Sequence, residues 1–414
     1  MSSLLAAWST WLVLAFFYAY QFVQRVFPNI VMDDIMSRYQ VNANEIGHFA
    51  GIYYVGYIAM HIPLGIMLDH FNAKKVIPLC ILLAVAGFAP LAYIDNFTVA
   101  SYGRLLIGIG SSGAAVGAFK LLRLGFGEEK FPRMLGWMVT IGLLGAVFGS
   151  GPLARFILYL GWEETLKYIL LSGIILAALS YFIIPNTKSD EKFNLDVILK
   201  DFKYLFSNKM VFLVCILGGF MIGPLEGFAD AWSNPYLKTV YKLTNAEAGD
   251  ITQLVYIGMA VGLVIMGFIF EKIKSYYGLL IISGAAMLAC FIVLLMNLVQ
   301  NPITLKLMFF VIGFFCSYQI LIIAKSVALV HVEHATFISA VANMIMMGFG
   351  YFSHRAIGMI LHHFWDGMKN NLGVPIYSVE NFYNALVILI VSLAIAIVGF
   401  VLLVLVEKNK KKIS

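Results

Sequence analysis

The feature that most narrows the fold is the spacing of charge. Short clusters of Lys, Arg, Asp and Glu punctuate the chain, and between them run apolar stretches of about 20 residues, the length a helix needs to cross roughly 30 Å of hydrocarbon. Twelve such stretches can be marked. With 61% hydrophobic and only 12% charged residues over 414 positions, the composition lies far from that of soluble domains. The chain therefore reads as an all-α integral membrane protein.

The spans are expected near Trp11 to Val31, Gly47 to Leu68, Val76 to Ile94, Ser101 to Leu122, Met134 to Leu158 and Lys167 to Ile184. A second six fall near Val211 to Trp232, Ile251 to Phe270, Gly278 to Leu298, Lys306 to Leu329, Phe337 to Leu361 and Ala385 to Val406. Between the sets lies the longest hydrophilic stretch, Pro185 to Lys209. It divides the chain into an N-terminal bundle (1–186), a linker (187–209) and a C-terminal bundle (210–414). Phe193, Val197, Ile198 and Phe202 predict a short amphipathic helix on the membrane surface within the linker.

Orientation follows from the basic residues. Lys74, Lys75, Arg123, Lys130, Arg133, Lys272, Lys274, the linker lysines and the Lys408 to Lys412 tail fall on one side, against Arg38, Lys167, Lys238, Lys242 and Lys369 on the other. The richer side is expected to be cytoplasmic and to carry both termini, in a bacterial inner membrane. The net charge of +6 reflects this bias and gives no reason to invoke nucleic acid. MSSLLAAW lacks a basic n-region, so the first span serves as the insertion signal. Cys80, Cys215, Cys290 and Cys316 all fall inside spans without C-x-x-C spacing and read as packing residues.

The halves are related. Asn44 to Asp69 and Ala246 to Glu271 align at a constant offset that pairs Glu45 with Glu247, Gly47 with Gly249, Tyr54 with Tyr256, Gly56 with Gly258, Gly65 with Gly267 and Asp69 with Glu271. Two parallel six-helix units imply a pseudo-two-fold axis along the membrane normal and a cavity between them near the midplane.

GIMLDHFNAKK, Gly65 to Lys75, resembles the cytoplasmic loop motif of the major facilitator superfamily: Gly65, Asp69, Lys74 and Lys75 match, while His70 and Asn72 replace a basic residue and a glycine. Arg104 with Gly108 and Gly110 resembles that family's fourth-helix motif. GAVFGSGP, Gly145 to Pro152, resembles its fifth-helix motif without the glycine pair after the proline. The resemblance implies two pseudo-symmetric six-helix bundles, alternating access, and a gating role for Asp69, Arg104 and Arg123, with Asp69 expected to pair with Arg123. YAYQFVQRVFPNIV is also similar to first helices of amino-acid and siderophore permeases of intracellular bacterial parasites within the superfamily.

GIGSSG, Gly108 to Gly113, satisfies G-x-G-x-x-G but lies inside an apolar helical run. A dinucleotide loop needs a preceding strand and an aqueous crevice; here a narrow helix-packing face is expected. No P-loop, H-E-x-x-H or G-x-S-x-G occurs, and the His331/His334 and His362/His363 pairs lack further ligands at metal-binding spacing. Neither cofactor nor metal is expected, and nothing points to an enzyme.

Ionisable groups inside a span cost roughly 2.5–3.5 kcal/mol on insertion scales, so those that persist face a cavity or a partner. Tyr18, Gln21 and Arg25 share one face of the first span, and Arg25 can grip a carboxylate or phosphate. Glu226 and Asp230 share a face of the seventh span. The repeat places Glu226 opposite Arg25, so the two carboxylates are candidates for proton coupling. Tyr54, Lys120, Tyr318, Gln319, Lys325 and Asn343 complete the expected substrate-binding set, and His354 with Arg355 are expected at an outer gate. The resulting expectation is a secondary transporter, importing a small anionic or zwitterionic molecule with protons. Amino acids and carboxylate siderophores are the implied cargo classes. An exporter of amphipathic compounds is the second reading, and a non-transporting membrane receptor the reading from another class.

Overall fold

The computed structural model describes residues 4–187, 204, 208–299, 301–331 and 334–413. The amphipathic helix expected in the linker lies outside the described residues. Among those described, eleven helices are long and apolar enough to cross a membrane. They are α1 (Leu4–Ile30), α2 (Ala43–His70), α3 (Ala73–Tyr93), α4 (Phe97–Gly127), α5 (Glu129–Phe148), α6 (Trp162–Ile183), α7 (Lys209–Tyr241), α8 (Asn245–Ile273), α9 (Tyr276–Leu295), α10 (Pro302–Ala328) and α12 (Val379–Lys408); between the last two lies a further helix of 29 residues, α11 (Ala335–His363). Exposed apolar side chains such as Leu12, Phe16, Leu79, Phe182 and Leu402 clothe the outer surface, as lipid contact requires. This is a multi-pass, all-helical membrane protein of two six-helix halves.

The helices overrun the apolar stretches and break where sequence periodicity alone does not say. Almost no loop separates α4 from α5: the helix runs through the charged residues after Arg123, and only Gly127, at φ +74°, turns the chain. That backbone region is open to glycine with little strain. The fifth span, expected to be continuous to Leu158, stops at Gly149 and Ser150 and restarts as Gly151–Leu160, with Pro152 in its first turn where the missing N–H costs nothing. In α10 a tight turn at Ser317 and Tyr318 resets the phase of the helix. In α7 the stretch Gly223–Trp232 is π-helical, begins beside Pro224, and carries both Glu226 and Asp230. Such wide turns recur at functional sites.

The repeat has a physical basis. Asn42 and Thr244 cap α2 and α8, and Glu45 and Glu247 return hydrogen bonds to the cap backbone at 2.8 and 2.9 Å, closing a capping box at both repeat positions. Asn42→Ala and Thr244→Ala are each expected to cost about 1 kcal/mol, read as a lower melting temperature of the purified protein. Gly108 of α4 lies against the Tyr53 carbonyl of α2, and Gly313 of α10 lies against the Val255 carbonyl of α8. A side-chain carbon at either glycine would strike backbone. GIGSSG is therefore part of a helix contact, with Gly110 seated on the backbone of α3 at Cys80 and Ala84.

The halves close on the face opposite the chain termini. There α2 crosses α11, where a Cβ on Gly47 would stand 2.6 Å from the His354 carbonyl oxygen and 3.2 Å from the Gly358 Cα. Likewise α8 crosses the segment Gly151–Leu160 that follows α5, where a Cβ on Gly249 would stand 2.8 Å from the Gly151 Cα. Polar ties reinforce both seams. Arg155 pairs with Asp250, Lys238 pairs with Asp33, and Arg355 donates to the Asn44 carbonyl at 2.9 Å. Between α1 and α7, buried Asn29 donates to the Ala229 carbonyl and Ser233 hydroxyl and accepts from the Asn234 N–H.

Candidate functional site

Toward the terminus-bearing face the halves part around a cavity of about 530 Å³. Its lining reaches from Arg25 and Glu226, deep between α1 and α7, to Arg123, Phe131 and Ala335 at helix ends on that face. Open on one side and sealed on the other, the cavity is shaped like a binding site caught facing one compartment.

At its deep end three ionisable side chains meet. The Arg25 Nε donates to Asp230 Oδ2 at 2.5 Å, and its Nη2 stands 3.3 Å from Glu226 Oε1. Each side chain is at most 8% exposed. The two carboxylates differ sharply in support. Asp230 also receives the Tyr54 hydroxyl on Oδ2 at 2.5 Å and the Tyr256 hydroxyl on Oδ1 at 2.8 Å. The repeat-related tyrosines, one from each half, thus converge on a single acid. Among the described residues Glu226 instead receives the Gln319 amide, at 3.1 and 3.3 Å, besides Arg25, and it lines the cavity while Asp230 does not. Arg25 Nη2 has no aligned acceptor among the described residues, leaving a donor at the cavity's deep end. Phe22 and Tyr54 present ring faces to the guanidinium at 5.0 and 5.4 Å, which helps hold its charge in a low-dielectric setting.

Arg25 is aimed from behind by an arrangement that begins with Pro28 in α1. Proline has no N–H for the carbonyl four residues earlier, which here is that of Gln24. Arg104 of α4, 1% exposed, fills the gap: it donates to the Gln24 carbonyl at 2.6 Å and the Arg25 carbonyl at 3.0 Å. Expected at a gate, Arg104 instead sits inside the N-terminal half, fixing the turn that carries Arg25. Arg104→Ala is expected to cost about 1.5–3 kcal/mol, the worth of hydrogen bonds from a charged donor. Adding Pro28→Ala should return part of that loss by restoring an N–H to Gln24. A double-mutant cycle of unfolding free energies checks this.

Of the other expected residues, Tyr18, Gln21, Gln319 and Asn343 line the cavity, with Gln21 accepting the Tyr53 hydroxyl at 2.6 Å. Tyr54 is buried beside it. Four others lie outside the cavity or with other partners than expected. Lys120 donates to the Leu68 carbonyl and to Asp69 at 2.8 Å, and Lys325 reaches Glu407 at 2.8 Å, so each cation is held within its own half and outside the cavity. Tyr318, fully buried, donates to the Gly218 carbonyl at 2.9 Å; the break in α10 turns it away and leaves Gln319, Ile320 and Ile323 facing the cavity. Asp69 is paired with Lys120 rather than Arg123, whose guanidinium lies 4.4 Å over the Phe131 ring at the cavity mouth. Sequence reading missed Tyr256, although its repeat pairing with Tyr54 was the available signal, and also Tyr57 and the apolar wall of α5 and α8.

Comparison with known proteins bears on this arrangement. The family description Major Facilitator Superfamily matches residues 10–353. The chain belongs to the Major Facilitator Superfamily. Among curated members it is 22% identical over 277 residues to a probable L-galactonate transporter of Escherichia coli K12, covering 63% of this chain and 61% of that protein. It is 25% identical over 175 residues to a bicyclomycin resistance protein homolog of Haemophilus influenzae, covering 41% of this chain and 43% of that protein. Each match thus spans less than two thirds of the relative's length. A solved superfamily fold, a bacterial homolog of the human lysosomal transporter Spinster in an inward-facing, unoccupied conformation, superposes with a TM-score of 0.78 at 19% identity, covering 96% of both chains. At that identity the likeness concerns the fold.

Proposed function

We propose that this superfamily member is a secondary transporter of a bacterial inner membrane that imports a small organic anion together with a proton by alternating access. The observation that carries this reading is the unequal pair of carboxylates facing one arginine: Asp230 held by three donors, Glu226 held loosely at the cavity wall. Protonating Glu226 forfeits few hydrogen bonds and removes the charge it holds 3.3 Å from Arg25 Nη2, which can then take the cargo's carboxylate in a charge-assisted bond. Asp230, held by its three donors, remains the fixed partner of Arg25. Loss of the proton to the other compartment lets Glu226 reclaim Arg25 and expel the anion. Proton and cargo thus occupy the site together or leave it together.

The basic bias makes the terminus-bearing face cytoplasmic, so the cavity opens inward. Switching would separate the Gly47/Gly358 and Gly151/Gly249 contacts on the far face and bring the cytoplasmic ends together, with Asp69 and Lys120 at the closing edge. Uptake into proteoliposomes is the test. Wild-type flux should rise when the outside is made more acidic than the inside. Glu226→Gln should retain cargo exchange between the two sides and lose the response to the pH gradient; a gradient response equal to wild type in this variant would sink the coupling role of Glu226. An export direction is favoured by the apolar cavity wall and the resistance-protein relative. Inverted vesicles that accumulate cargo only as protons leave their acidified lumen would establish it.

A further inference from the structure

The cavity walls beyond Arg25 divide by chemistry. Near the seam of α2 and α11 the wall offers hydrogen-bonding groups, Tyr57 and Asn343, with Gln21 of α1 beside them. Near the seam of α5 and α8 the residues those two helices contribute are apolar, Leu135 and Val139 on one and Met259 and Leu263 on the other, while α1 sets the Tyr18 ring against α5 at Gly142. At about 530 Å³, the space lies within the 300–1,000 Å³ range of pockets that hold drug-sized molecules. It exceeds what a short acid or a glycine-sized zwitterion fills.

These observations set limits on what can lie there. A hydroxyl pressed against the apolar side chains of the α5/α8 wall gives up water without gaining a partner. A polyhydroxylated acid, with hydroxyls on every side, meets that loss repeatedly. A second carboxylate against the same wall has no cation there, since Arg123 stands at the mouth over Phe131. An apolar body instead gains about 25 cal/mol for each Å² it removes from water. We infer that the cargo is an amphipathic organic monoanion, with one carboxylate bound at Arg25 and an aryl or branched alkyl body lying against α5 and α8. This inference rests on the transport reading above, and narrows its cargo.

The test is binding to the full chain in lipid nanodiscs, by calorimetry, with a matched panel of indole-3-acetate, phenylacetate, gluconate, succinate, citrate and glutamate. The aryl monocarboxylates should bind saturably and at least 100-fold more tightly than gluconate, succinate or citrate. Leu263→Asn and Val139→Asn should each weaken the aryl acids about tenfold while narrowing the gap to gluconate, and their melting temperatures report whether the fold is kept. Tightest binding by gluconate, a dicarboxylate, citrate or glutamate overturns the inference, as does absence of saturable binding by every aryl acid. The coupling reading is judged separately, because the pH-gradient response of Glu226→Gln concerns the proton and holds for whichever anion is carried.

Discussion

Arg25→Lys is expected to lower cargo flux about 100-fold, a loss of roughly 2.7 kcal/mol in the transport step, while the protein still inserts and purifies. The guanidinium meets Asp230 through Nε and Glu226 through Nη2, two acceptors in different directions served by one planar fork. An ammonium is a point charge that can favour one carboxylate but not reproduce the fork. Arg25→Ala should be worse. It strands two buried carboxylates without their counter-ion, and removing one partner of a buried pair costs about 3–5 kcal/mol, so poor yield and a depressed melting temperature are expected beside lost flux. The lysine variant separates function from folding. Wild-type flux in Arg25→Lys would remove Arg25 from the cargo site.

Gly47→Val is the second large effect: transport should fall to background, with the carrier held open on the face away from the termini. The new Cβ would meet the His354 carbonyl and Gly358 Cα, both main-chain atoms of α11 that cannot swing aside like a side chain. The α2/α11 seam would be forced apart, whereas the opposite conformation, in which this seam is open, should tolerate valine. Spin labels on exposed Gln40 and Leu372, one in each half and both in segments that approach on this face, should report a longer distance than in the parent. Gly267→Val is the control, since nothing lies within 4 Å of the added carbon and flux should be unchanged. A labelled Gly47→Val protein with the parental distance would contradict the role of this contact.

The fold was legible because hydrocarbon imposes one solution on long apolar runs, and because the repeated Glu45 and Glu247 carry the same capping geometry at both helix starts. Arg25, Glu226 and Asp230 were legible for a related reason: a charge at that depth must have a partner. What stayed hidden depended on neighbours. Lys120 and Lys325 have the helical spacing of inward-facing residues, but their acids, Asp69 and Glu407, lie on other helices that spacing cannot place. Tyr318 was misplaced because the break at Ser317 resets the helix phase without a proline or glycine to announce it. Likewise, one proline and two glycines around Glu226 do not reveal that the backbone there winds as a π-helix. The unequal support of the two carboxylates was also hidden, since it depends on the Tyr54 and Tyr256 hydroxyls reaching the carboxylate of Asp230 and not that of Glu226.

The central cluster also sets the electrical behaviour of the cycle. Arg25 and Arg104 on one half are matched by Glu226 and Asp230 on the other, so as ions the four cancel. If the cargo is the proposed monoanion and it travels with one proton, the sum stays at zero, and the empty and loaded forms turn over with the same net charge. Moving one elementary charge through 100 mV is worth about 2.3 kcal/mol, and a carrier balanced in this way forgoes that force in both directions. Its accumulation ratio should follow the acidity difference across the bilayer and stay indifferent to voltage clamped with potassium and valinomycin.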